Sequence, residues 1–596
     1  MQVALPEFRL FLSVIISAFN LGQLPLGPRV LELSLGLSPC CCLLEKRGAR
    51  RSECVVHKSE RVRRARGSRE ERHVLANGAI AMFAVVSNAH LRSLQAPLRN
   101  CFATQKTRIA MCADWCARNL RDCQAWREEG LEMSTTSNEA AKLYDASVRQ
   151  LVSWINCDQL GGLEKTLKGM TAADPDLVMG QVLSVGLNAL GTGKSFSTDP
   201  EYVANVENMV KLAGKIGNKR EKIHATAVNY FARGEMNCAC VLWERILAEH
   251  PNDLLALKFA HDGYFFLGDK YNKRDSVARV IDKWDKDAPC YSYLHGMYAF
   301  GLEECGEYTE SEKHARKALE LQPQDCWATH AVAHCYEMSS CYEEGIKFME
   351  STVQDWSPCV MLACHNFWHT ALFYIEKGDL DGAMALFDKE VNRRYGISEH
   401  MLDMVDAASL LLRLELEGVD VGDRWMKILE RIKPHVNDQA LGFNETHMAM
   451  VFSHEESDEY VNLQREATSR YLGGSSRGDQ YHVIKTITQP IDEAIAAFSK
   501  GDYDKTAEIM HPLRHCVYQI GGSHAQRDVY TLILIHACIR SMDPEKKLWL
   551  KDVLAERERL KPNSTLLQRL GKLYKDTHVV SILKDSTEGG KQCVFV

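Results

Sequence analysis

Residues 293–325 read YLHGMYAFGLEECGEYTESEKHARKALELQPQD. An apolar first segment runs into a Gly-x-Tyr turn at Gly306 and Tyr308. The second segment carries its apolar residues at helical spacing, ends KALELQP, and is stopped by Pro323. A glycine at the turn accepts the left-handed backbone that a tight helix-helix connection needs. The stretch therefore predicts two antiparallel helices in one short unit.

Placing Gly306 at the fifteenth position of that unit sets a register that can be carried along the chain. Gly234, Gly268 and Gly378 fall on it, and Pro251 takes the place of Pro323. The units then begin near Arg220, Leu254, Ser292, Cys326 and Cys364, at intervals of 34 or 38 residues. Gly418 and Gly501 mark two further units. This period with this pattern is that of the tetratricopeptide repeat. The predicted fold is all-α, a right-handed superhelix of antiparallel helix pairs over about 119–576, whose first helices line a concave groove.

With 596 residues the chain exceeds the usual size of one compact core, as a repeat array would. A net charge of −7 gives no electrostatic footprint for nucleic acid, and no nucleic-acid partner is expected. The 21 cysteines have no CxxC pair or recurrent spacing, which favours reduced thiols and a cytoplasmic setting. Residues 1–118 lack the repeat pattern. They hold an apolar stretch, Leu10 to Phe19, too short for the roughly twenty residues of a membrane span, so no stable insertion is expected. A Lys/Arg-rich run, EKRGARRSECVVHKSERVRRARGSREERH, follows, and the segment reads as a poorly ordered, partly basic extension. Residues 577–596 read as a flexible tail, in which Cys593 stands where a prenylated cysteine would but precedes an atypical final valine.

Several strings go beyond the generic repeat: RDCQAWREEGLEMSTTSNEAAKLYDA, ALKFAHDGYFFLGD, RDSVARV, HAVAHCYEM, LACHNFWHTALFYIEKG, MLDMVDAASLLLRLELEGV and QIGGSHAQRDVY. In this order, from about Leu120 to Tyr574, they resemble the tetratricopeptide repeat protein 38 family. The resemblance implies a helical-repeat protein and carries over no catalytic residues.

The register also says where the histidines point. His330, His334 and Glu337 take the fifth, ninth and twelfth positions of one first helix and share a face. His365 and His369 stack at i, i+4 in the next unit, and Asp403, Asp406 and Arg413 follow on the helix after that. His224 and Asp262 occupy comparable positions upstream. Four imidazoles beside carboxylates suit a divalent transition metal such as Zn, Fe, Mn or Ni. The HExxH spacing of metalloproteases is missing, since no glutamate follows His330 or His365.

Two other motifs resolve into turn chemistry. GTGKS, Gly191 to Ser195, lacks the first glycine of a phosphate loop and follows a helical run, so it reads as a helix-ending loop. In QIGGSHAQRDVY the glycines end one helix and Ser523 starts another, leaving Arg527 free to reach a carboxylate or anion across the groove.

Two functions from different classes are consistent with these residues. The first is a non-enzymatic scaffold that binds a peptide or protein in its groove and needs no cofactor. The second is a groove-located, metal-dependent hydrolase-like enzyme or small-molecule binder, with His330, His334, His365 and His369 as ligands and Glu337 or Asp406 as acid/base. Buried, hydrogen-bonded histidines would be the purely structural outcome.

Overall fold

A computed structural model describes residues 114–575 apart from Glu399 and Ser476. Every regular element among them is helical, and the helices pair in sequence order as tetratricopeptide-type units. The helices Lys219–Ala232, Leu254–Leu267, Tyr291–Glu304, Cys326–Met338 and Leu362–Lys377 begin within two residues of the starts set by the register. Each turn glycine of that register, Gly234, Gly268, Gly306, Gly378, Gly418 and Gly501, has a positive φ. Aspartates cap many of the first turns: Asp325, for example, accepts from the backbone N–H of Trp327 and Ala328.

The two helices of a unit differ in how they are buried, and that difference builds two layers. Tyr308–Leu321 buries only Ser311, Ala315 and Ala318, and Tyr342–Trp356 only Gly345, Met349 and Trp356, one stripe each. The first helices are buried nearly all round. Leu362–Lys377 covers everything from Ala363 to Phe373, and Met401–Leu416 everything from Asp403 to Leu414. First helices thus form the inner layer, as the repeat register predicts.

The inner layer does not surround an open groove. Later parts of the chain fold back into it: helix His524–Arg540 packs on Met401–Leu416, and the 3-10 turn Val517–Ile520 crosses the end of Leu254–Leu267. At that crossing Gly268 lies against the Tyr518 carbonyl and Gly521 against the Phe266 carbonyl, so close that a Cβ at either would collide with backbone. Units far apart in sequence are also tied directly. Trp327 Nε1 donates to the Val152 carbonyl (3.2 Å), Val360 N to Trp154 (2.9 Å) and Gln480 N to Gly234 (3.2 Å). One large apolar core draws residues from Trp126 to Leu570, with a smaller cluster of Ala299, Phe300, Ala315, Ala318, Ala328, Ala331 and Val332 beside it.

Residues 114–118, which the sequence reading assigned to the extension, are packed against this body. The short turn Asp114–Ala117 is held by Arg149, which donates to the carbonyls of Trp115 (3.1 Å) and Arg118 (2.7 Å). The rest of the extension, with its apolar stretch and basic run, and the tail with Cys593 lie outside the described residues. Among those residues no helix is long and apolar enough to cross a membrane.

Candidate functional site

Helical spacing puts His330 above His334 and His365 above His369, and the stacking of two adjacent inner helices brings the pairs together. Ring centroids lie 4.4 Å apart for His330 and His334, 4.4 Å for His334 and His369, 4.7 Å for His365 and His369, and 4.9 Å for His330 and His365. One ring nitrogen from each of the four lies within 4.8 Å of the others. The sequence placed these side chains on an open groove wall. They are instead interior, at most 9% exposed, because the His524–Arg540 helix closes over them: its first ring lies 5.5 Å from that of His334.

Carboxylates hold two of the four rings by hydrogen bonds and lie close to a third. His365 Nδ1–H donates to Asp406 (2.8 Å), His369 Nδ1–H donates to Glu337 (3.1 Å), and His334 Nδ1 lies 3.1 Å from Glu303. The remaining nitrogens turn inward. Nε2 of His330 and His334 are 2.9 Å apart, whereas His369 Nε2 and His330 Nδ1 are buried without a partner. Burial, reinforced by the neighbouring imidazoles, pushes both His330 and His369 well below the ordinary histidine range, so both rings are neutral.

A second cluster adjoins the first and has the opposite character. His524 Nε2 lies 2.8 Å from Glu303 and its Nδ1 3.0 Å from Glu304, as ion-pair contacts. Burial opposes its charge, but the two carboxylates win and push it up to about 10, so it is an imidazolium between them. Arg527 reaches Glu304 at 3.3 Å and also donates to the Gly522 carbonyl. The sequence reading missed Glu303, Glu304 and His524. One signal was present: Glu303 holds the twelfth position of its repeat, the same position as Glu337 in the next.

Arg413 does not face a groove. It is buried, donates to the Ala525 carbonyl (2.7 Å), and lies 3.5 Å from Asp528, tying the His524 helix to the Met401 helix. The upstream candidates have separate partners: His224 contacts Asp253 at 3.0 Å, and Asp262 takes Lys258 at 2.6 Å on both oxygens.

Beside the four histidines lies a cavity of about 150 Å³ with largely apolar walls, among them Leu187, Phe259, Phe300, Trp327 and Leu402. Its polar lining includes a connected set, His330, His365, Asp406 and Gln526, the last donating to Asp406 at 3.3 Å. Asp403 faces the same space. Burial, with Asp406 nearby, pushes its carboxyl up to about 7 although Ser398 donates to it. GTGKS is the loop that ends helix Val178–Leu190.

No protein-family model matches the chain. Two solved structures are similar to it at low scores. A monomeric mutant of IFIT1 with Gppp-AAAA is 13% identical, covers 78% of this chain and 99% of that one, and gives a TM-score of 0.31. The human IFIT1 dimer with m7Gppp-AAAA is 14% identical over the same shares, with a TM-score of 0.30.

Proposed function

We propose that the repeat body binds a small, largely apolar molecule in its interior and turns the polar part of that molecule toward His330, His365 and Asp406. One observation supports this above the rest: the cavity shares His330, His365 and Asp406 with the histidine cluster while most of its wall is apolar. An apolar cavity of this volume is the size that holds an aromatic ring or a short aliphatic chain. Asp403, with its carboxyl near neutrality, can take or give a proton there, so a hydrolase-like reaction is the catalytic form of the same reading. An extended peptide in the groove is less well supported, since His334, Glu337, His369 and Arg413 are all buried among the chain's own helices.

Membership of the tetratricopeptide repeat protein 38 family belongs to this proposal, on the strength of the long strings from Leu120 to Tyr574. So does a cytoplasmic setting, which the free state of every cysteine among the described residues favours.

The test is retention from a mixture. Purified protein is incubated with a metabolite extract, freed of unbound material, and its bound fraction read by mass spectrometry. Wild type is expected to retain an apolar small molecule, and Leu187→Trp, which fills the cavity away from the histidines, to retain it about tenfold less, a difference near 1.4 kcal/mol. Equal retention by both proteins, or none by wild type, overturns the reading.

A further inference from the structure

Four imidazoles and the carboxylates Glu303, Glu337 and Asp406 meet around the paired first helices, all of them buried. Burying a polar nitrogen without a partner leaves its desolvation uncompensated, and His330 Nδ1 and His369 Nε2 are both in that state. Edge-to-face packing of the rings leaves that cost standing. The contact between Nε2 of His330 and His334 can satisfy only one pair.

The arrangement has the order of a coordination sphere. The ring nitrogens lie within 4.8 Å of one another. Four nitrogens on one tetrahedral ion, each at roughly 2.0–2.1 Å, stand about 3.4 Å apart, so nitrogens 4.8 Å apart would each have to move inward by about 0.9 Å. Behind the rings Asp406 and Glu337 each accept from an Nδ1–H, as the carboxylates of an outer shell do when they fix a ligating imidazole and raise its basicity, and Glu303 lies 3.1 Å from the Nδ1 of His334. The neighbouring group of Glu303, Glu304, His334 and His524 lacks this order, because it offers two imidazoles in place of four and both nitrogens of His524 lie against carboxylates, at 2.8 Å and 3.0 Å.

We propose that His330, His334, His365 and His369 together hold one divalent transition-metal ion, using the ring nitrogens that face away from Glu303, Glu337 and Asp406. Nitrogen donors of this kind suit Zn, Fe, Ni or Cu and disfavour Mg and Ca, which take oxygen. Because His330 and His365 also line the cavity, the ion would sit beside whatever the cavity holds. The metal site rests on the cavity reading only for the identity of that neighbour.

The experiment uses the full chain made without a histidine tag. Metal is measured in the protein as isolated, and again after chelation and reloading with Zn(II) or Co(II). The expected result is about one ion per chain, with the visible absorption of Co(II) in a nitrogen environment. His365→Ala and His369→Ala should lose the ion, whereas Glu337→Gln should keep the site and weaken it by about 10- to 100-fold. Should an alanine variant fail to fold, the Co(II) spectrum of wild type and the titration of Glu337→Gln carry the test. Wild type that takes up less than about a tenth of an equivalent in all three states overturns the proposal, as does full loading with an unchanged spectrum in both alanine variants. The two readings fail separately: metal without a retained molecule removes the cavity reading alone, and a retained molecule without metal uptake removes the metal site alone.

Discussion

His369 illustrates how much a single position depends on its neighbours. Its Nδ1 is fixed by Glu337, its Nε2 is buried with no partner, and three other imidazoles surround it. Arg413 is buried as well, but its contacts are structural, to the Ala525 and Gln526 carbonyls, to Asp528 and to the Trp368 ring. Removing a buried, paired charge leaves its partners unsatisfied, which is the costly way to break such a contact. Arg413→Ala should therefore lose about 3 kcal/mol of stability by urea denaturation. A loss below about 1 kcal/mol, within the range of an exposed ion pair, would show that the tie is not formed.

Among the elements, the inner helices do the positioning and the outer helices keep them apart from water. The most exacting contact is the crossing of Leu254–Leu267 by the turn Val517–Ile520, where two backbones touch at Gly268 and Gly521. Gly268 carries two constraints, a φ of +65° and the Tyr518 carbonyl where a Cβ would stand. Gly268→Ala should cost at least about 3 kcal/mol, more than the left-handed backbone alone would give. Gly306→Ala is the control, since its φ is +83° and nothing lies within 4 Å of its Cβ position. It should cost only the backbone part, about 1 kcal/mol. Equal losses in the two variants would mean that the crossing is open in solution.

At the scale of the whole molecule, several histidines outside the four-histidine cluster are buried and neutral. Burial brings His400 and His447 down to about 4 and His536 to about 3, from an ordinary value of 6.5. The unfolded chain takes up protons on these side chains near 6.5, while the folded chain does so only near 4 or below. Folding is thus favoured fully above about pH 6.5, and that advantage is lost progressively as the pH falls toward about 4. Buried carboxyls such as Asp403, raised to about 7, act in the opposite direction over the same window, so the check is the difference between wild type and His536→Phe: the melting temperature of the variant should fall less as the pH is lowered from about 6.5 to 4. Parallel profiles for the two proteins would count against neutral burial of His536. The same closure that buries them leaves the interior with a cavity in place of an open groove.

The sequence by itself determined the repeat, its register, the turn glycines, the helix starts and the faces on which His330, His334, His365 and His369 lie. Those follow from spacings of three, four and about 34 residues, which local geometry converts directly into structure. Only the tertiary structure decided that the inner face is closed, that Arg413 is a tie, and that Glu303 and His524 join the cluster. Arg413 and Ala525 are 112 residues apart, and no periodicity within a helix pair records a contact made at that distance. The curvature of the stack and the return of the C-terminal helices set such contacts, through the sum of many packing interactions that no short stretch contains.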